Sequence, residues 1–262
     1  MTAIPDQSAN AVAGGEVSIT VADGVGTVRF YHPKGNSLPG ALLRRLAASV
    51  ESAGRDPDIR VIVLRSDGGG PFCAGASFDE LVSIDNPHDG EEFFSGFATV
   101  ILAMIRAPKF VLVRVHGKTA GGGIGIAAAS DYTFAVRSAA VKLSELAIGI
   151  GPFVVGPVIA RRVGMGPFMA MSVDADWRDS AWCETHGLYA RVFDDEAAMD
   201  TAIATLARTL SMSNPEAMRL MKSVAWQGTE EWPSLLAERA RMSGTLVLSD
   251  FTRAAIAKFK AK

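Results

Sequence analysis

Two short stretches are bare of bulky side chains where the chain leaves a strand: "FCAGASFDEL", Phe72 to Leu81, and "HGKTAGGGIGIAAASD", His116 to Asp131. Glycine there lets a ligand approach the backbone closely, and a following helix start offers N–H groups with no intrahelical partner. That chemistry suits an oxygen carrying negative charge. Nucleotide phosphates fit poorly. From Gly121, Gly122 or Gly123 the spacing G-x-G-x-x-G is not completed, and no Lys-Ser or Lys-Thr pair follows a glycine at the distance a P-loop requires. Such glycines equally suit tight packing of a helix on a sheet, and a single cluster does not separate the two readings. Two clusters point further, because N–H groups from separate loops can converge on one oxygen as an oxyanion hole. Each donor then contributes ~3 kcal/mol to a transition state shielded from water.

The elements that must position these turns follow from hydrophobic spacing. "EVSITV" and "GVGTVRF" read as a hairpin about "ADG", and "VIVLRS" and "FVLVRV" as continuous apolar strands of the buried kind. "SLPGALLRRLAASVESAG" and "GEEFFSGFATVILAMIRAP" carry apolar residues at helical spacing, the second stopping at Pro108. Strand and helix alternate, which predicts an α/β fold with crossover connections. After about Val192 the pattern is helical throughout, in "DEAAMDTAIATLARTLSMS", "NPEAMRLMKSVAWQG" and "EEWPSLLAERARMSGTLVLSDFTRAAIAKF". This divides the chain into an α/β core over residues 1–200 and a helical region over 201–262.

Composition narrows the function. The 26 basic and 28 acidic residues leave a net charge of −2, without the basic excess that draws a protein to nucleic acid. Two cysteines, Cys73 and Cys183, are too few for a disulfide framework, and the four histidines show no metal-ligand spacing, so no metal site is expected. The first residues lack a basic start with an apolar run, and no stretch reaches the length of a membrane span, which predicts a soluble cytoplasmic protein. A mean hydropathy of +0.21 points to apolar surface buried between subunits.

Taken in order, "NSLPGALLRRL", "VIVLRSDGGGPFCAGASFDEL", "HGKTAGGGIGIAAASDYTFA", "VKLSELAIGIGP" and "GLYARVFDDEAAM" resemble the enoyl-CoA hydratase/isomerase (crotonase) superfamily, from about residue 16 to 260. The resemblance implies a crotonase-like spiral of repeated β-β-α turns with a C-terminal helical trimerisation region, assembled as a homotrimer or homohexamer. It implies an acyl-CoA thioester as substrate and no resident cofactor, coenzyme A arriving as part of the substrate. Carried over by position, the oxyanion donors are the N–H groups of Ala76 and Gly122. Ala74, Gly75, Ala76, Ser77, Phe78, Gly121 and Gly122 are then the substrate-binding residues.

Hydratases of this family commonly use two glutamates. Glu145 of "SELAIGIG" matches one, whereas the other position holds Gly125, which can neither give nor take a proton. A carboxylate facing a thioester in an apolar pocket has its charged form disfavoured, which raises its pKa towards neutrality. One such group can move a proton between two carbons. The chain departs from the family pattern also at Ser77, where aspartate is frequent, and at His116, where asparagine is. His116 is read as hydrogen-bonding a backbone group, with an acid/base role as the alternative. Cys73 reads as a small buried hydrophobe. Phe93, Phe94, Phe97 and Met104 lie at helical spacing and read as core, and the resemblance implies that their helix also borders the acyl pocket, so that some of them can do both. Lys258 and Lys260 read as a solvated tail, with CoA phosphates as the alternative.

These features predict an enoyl-CoA hydratase/isomerase-type enzyme with Glu145, Ala76 and Gly122 as its catalytic groups, acting by hydration or dehydration, isomerisation or decarboxylation. The alternatives are a carbon-carbon hydrolase of a non-CoA β-diketone on the same fold, and a non-catalytic acyl-CoA or RNA binder. The charge speaks against RNA.

Overall fold

The computed structural model describes residues 14–260, with side chains to residue 258. The predicted hairpin is β1 (Glu16–Ala22) against β2 (Val25–Tyr31), closed by Asp23 and Gly24, both at positive φ as a tight two-residue turn requires. From β2 the chain runs through successive β-β-α turns. Each long strand joins one six-stranded sheet of order β1-β2-β4-β6-β8-β10, in which β4 is Val61–Ser66, β6 Val111–Val115, β8 Tyr132–Val136 and β10 Arg191–Phe193. All pairs after the hairpin are parallel. The long strand is followed each time by a two-residue strand off the main sheet: β3 (Ser37–Leu38), β5 (Gly75–Ala76), β7 (Thr119–Ala120) and β9 (Val141–Lys142). These pair as β3 with β5 and β7 with β9, and a parallel bridge from Cys73 to Thr119 joins the two pairs. The predicted spiral is this repeat. The minor strands are too short to leave a hydrophobic period, so spacing alone did not reveal them.

Crossover helices cover the sheet. Helix α1 (Gly40–Arg55) buries Leu42, Leu43, Leu46 and Val50 on one face. Ser77 caps α2 (Phe78–Ser83), its Oγ accepting from the Glu80 N–H at 3.4 Å. Asn86 caps α3 (Pro87–Arg106), which packs on α1 and ends before Pro108 as predicted. Helix α4 (Gly122–Ala128) carries the second glycine cluster. Helices α5 (Gly156–Val163), α6 (Met165–Asp174) and α7 (Ser180–Thr185) precede β10.

From Glu196 the described chain is helical: α8 (Glu196–Ser211), α9 (Pro215–Ala225), α10 (Trp232–Leu246) and α11 (Asp250–Lys260). The long C-terminal run, read as one helical stretch, breaks at Val247–Ser249 into α10 and α11. Helix α8 lies on the sheet, where the buried Arg114 of β6 donates to Asp200 Oδ2 at 3.0 Å and Glu196 Oε2 at 2.7 Å. Helix α10 crosses α3 so closely that a Cβ on Gly90 would stand 2.7 Å from Gly244 Cα.

Lys222 of α9 fastens the helical region at a third point. It is 3% exposed, and its Nζ donates to Met104 O at 2.7 Å and Lys109 O at 2.9 Å while lying 2.7 Å from Asp131 Oδ2. Asp131 in turn accepts from the Val111 N–H at 2.7 Å. Burial pulls the Lys222 ammonium below its usual range, and Asp131 opposes that shift. Lys222→Met removes the cation and leaves a buried carboxylate and two carbonyls with fewer donors. We expect a loss of about 3 kcal/mol in urea unfolding, against less than about 1 kcal/mol for Arg137→Ala, whose ion pair with Asp194 is exposed. Equal midpoint shifts for the two variants would refute the tie.

Candidate active site

The two glycine-rich turns come from successive β-β-α repeats and lie side by side. Phe72 N–H donates to Lys118 O at 3.0 Å, and Ala120 N–H donates to Cys73 O at 2.9 Å. Gly75 holds φ +95°, and a Cβ there would come within 3.3 Å of Ala120 O, so close approach and backbone conformation both require glycine. The ladder from β5 to β3 uses the Ser77 N–H, on Leu38 O at 3.0 Å. Parallel alternation therefore turns the Ala76 N–H to the other edge of β5, the edge of the second turn. In that turn Gly121 stands at φ +49° and donates its N–H to Lys142 O at 3.0 Å, and Gly122 begins α4, where N–H groups have no partner within the helix.

Packing also needs these glycines. A Cβ on Gly122 would sit 2.4 Å from the Phe97 ring, and one on Gly123 would sit 2.7 Å from Cys73 Cβ. Tight packing, one of the two readings of the sequence, is thus present in this turn.

Glu145 reaches the turn from the next repeat. It leads a short 3-10 turn, Leu146–Ile148, which ends at Gly149 with φ +82°. Thr252 of α11 braces that turn through its hydroxyl, which donates to Gly149 O at 3.2 Å. The carboxylate lies against Gly121, where a Cβ would meet Glu145 Oε1 at 3.1 Å. Oε2 is sealed from solvent and has no hydrogen-bond partner among the described residues. Burial pushes the carboxyl pKa up to about 7, although the backbone N–H groups of Glu145 and Ser144 hold it down. It is a carboxyl poised to gain or lose a proton near neutral pH.

A cavity of about 670 Å³ opens onto these groups. Of the residues picked from the sequence, Ala74, Gly75, Ala76, Ser77, Phe78, Gly122 and Glu145 line it, as do Phe93, Phe94 and Phe97. Gly121 is buried behind the lining and backs the Glu145 carboxylate. Met104 is wholly core. Cys73 is buried in the core outside the lining, and burial pushes its thiol up to about 12, so it behaves as a hydrophobe. His116 does not reach the cavity either. It is buried, and burial together with the Arg114 charge lowers its pKa. Gly125 lies outside the lining too: a Cβ there would meet Val155 Cγ1 at 2.7 Å and Ile101 Cδ1 at 3.1 Å. Lys258 is exposed on α11, and the side chain of Lys260 lies outside the described residues.

Sequence reasoning missed several walls. Lys142 and Ser144 flank Glu145 in a segment already singled out, and the turn supplying Pro152, Phe153 and Val155 follows it directly, so adjacency was an available signal. Trp177, 45% exposed, lies with Lys118 Nζ 5.1 Å from its ring centroid, and Lys34 pairs with Asp79. Lys34, Asp79 and Trp177 all border the cavity. Ser243 arrives from α10, about 100 residues after Glu145, and nothing local marks it.

Known proteins share both sequence and fold. The family profile described as enoyl-CoA hydratase/isomerase matches residues 20–262. Methylglutaconyl-CoA hydratase of Rattus norvegicus is 31% identical over 74% of this chain and 63% of its own length, and the Homo sapiens protein is 30% identical over 74% and 58%. The chain thus matches somewhat less than two thirds of these relatives. The crystal structure of enoyl-CoA hydratase from Bacillus halodurans superposes with a TM-score of 0.86 over 92% of this chain and 99% of that one, at 18% identity. With most of its length matched by the family profile, and with the spiral repeat in place, the chain belongs to the enoyl-CoA hydratase/isomerase family.

Proposed function

We propose that the cavity binds an acyl-CoA thioester, that the N–H groups of Ala76 and Gly122 hold the thioester oxygen as it becomes an enolate, and that Glu145 moves the proton. The observation that carries this is the sealed Oε2 of Glu145 beside two converging glycine turns. Enolate formation places charge on the thioester oxygen, where preorganised donors stabilise the transition state more than the ground state. As carboxylate, Glu145 takes a proton from the carbon next to the thioester. As carboxylic acid, it returns that proton to a carbon further along the chain. Such a cycle needs no resident cofactor.

A single acid/base favours double-bond isomerisation. The position of a second carboxylate is Gly125, and the space a side chain would enter there is filled by Val155 and Ile101. A second reading, hydration of an enoyl-CoA, is favoured by the likeness to methylglutaconyl-CoA hydratases and by the Ser144 hydroxyl, which lines the cavity beside Glu145. Self-association as a trimer or hexamer belongs to the same proposal. It is supported by the exposed row Met165, Met169 and Val173 on α6.

Glu145→Gln should slow deuterium incorporation next to the thioester by ~100-fold or more while acyl-CoA affinity changes little, and kcat/KM of the wild type should rise with pH to a plateau above about 7. Full exchange in the variant would discard Glu145 as the base. Product ratios on matched enoyl-CoA substrates separate isomerisation from water addition.

Gly125→Glu should unfold at lower temperature than the wild type, because its side chain meets Val155 and Ile101. Pairing it with Val155→Ala should recover part of the loss. An unchanged midpoint in the single variant would mean that the space is open.

Stability carries its own signature. The folded Glu145 holds its proton up to about pH 7, whereas the unfolded chain releases it near 4.5, so wild-type stability falls as pH rises between those values. Glu145→Gln lacks that loss. It should equal the wild type near pH 4 and exceed it by up to about 3 kcal/mol above pH 8 in denaturant unfolding. Parallel pH curves would show that the carboxyl is not held protonated.

A further inference from the structure

One hydroxyl of the cavity is left without work. Ser243 of α10 is 1% exposed and lines the cavity, yet its side chain makes no hydrogen bond among the described residues. Helical hydroxyls commonly bond back to the carbonyl four residues earlier: the buried Ser172 does so at 2.8 Å, and the exposed Thr99 and Thr245 at 3.0 and 2.9 Å. Thr245 is on the same helix as Ser243. The hydroxyl is therefore left for a group that enters the cavity Ser243 lines.

Helix α3 gives its distance from the reacting end. Phe97 of α3 packs on Gly122, and Gly90, two turns earlier, packs on Gly244 beside Ser243. Two helical turns separate the sites by ~10 Å. Apolar residues that share the lining with Ser243 include Leu81, Phe93, Phe94, Ile150 and Ala255. Of the lysines that line the cavity among the described residues, Lys34 pairs with Asp79, and Lys142 lies opposite Ala120 in the β7–β9 pair.

We infer that Ser243 is a specificity residue that hydrogen-bonds a neutral oxygen, hydroxyl or ketone, on the distal part of the acyl group. A distal carboxylate would meet one hydroxyl, Lys34 of the lining being already paired with Asp79, and a plain alkyl chain would leave the hydroxyl buried and unpaired. The inference rests on acyl-CoA binding in this cavity.

Calorimetric titration with saturated acyl-CoAs of about six to ten carbons tests it without turnover, the range following from the ~10 Å span. Each plain chain is compared with partners bearing a terminal-side hydroxyl, ketone or carboxylate. At the best length the hydroxyl or ketone partner should bind ~10-fold more tightly than the plain chain, and the carboxylate no better. Ser243→Ala should abolish the preference, in part by tightening plain-chain binding, because no buried hydroxyl is then left unpaired. Equal binding of plain and oxygenated partners by the wild type at every length overturns the inference, independently of how the variant folds. So does a preference that survives Ser243→Ala, or one for the carboxylate. Binding of plain chains without preference sinks only this inference, whereas failure of every acyl-CoA to bind sinks the acyl-CoA reading and this inference with it.

Discussion

The backbone hydrogen bond from Ala120 N–H to Cys73 O is the constraint on which the site depends. It joins the minor strand of one β-β-α repeat to that of the next and fixes the spacing of the two glycine turns. The main sheet sets only the order of the repeats. Without this bond and its neighbour from Phe72 to Lys118, the edges carrying Ala76 and Gly122 would have no defined separation. Cys73 adds to the same joint through its side chain, which occupies the space that any residue larger than glycine at 123 would need.

Electrostatics follows from that geometry. Two successive repeats and the C-terminal helical region close around Glu145: the turn at Gly121 backs the carboxylate, the aromatic residues of α3 narrow the cavity, and α11 braces the 3-10 turn through Thr252. Each removes water from a carboxyl that would otherwise be ionised at neutral pH. The shift of Glu145 is therefore a property of the assembled spiral. His116 shows the contrast: it too is buried, but beside Arg114 and away from the cavity, where a neutral imidazole is simply the cheaper state.

Much of this was legible in the sequence. Long strands and crossover helices announced themselves by period, and the hairpin by Asp23 and Gly24. The two glycine turns were found because so many residues without side chains rarely follow a strand, and Glu145 because its surroundings resemble a known pattern. What stayed hidden had physical reasons. Strands of two residues carry no period. The role of Gly121 as backing for a carboxylate depends on a contact made 24 residues later. Ser243 and Lys222 come from helices whose spacing says only which face is buried, and at both positions a polar residue on that face is the informative detail. The absent carboxylate at Gly125 was visible as a letter, but the reason that nothing larger fits there, Val155, was not.

The crossing of α3 and α10 at Gly90 and Gly244 bears on how such a cavity can diversify. With each backbone in contact with the other at that point, neither helix can shift to widen or narrow the cavity without losing the contact. A change in the shape of the cavity must then come from exchanging single side chains on fixed rails, at lining positions such as 93, 94 and 243. Change in this scaffold proceeds residue by residue, with the Glu145 end left untouched.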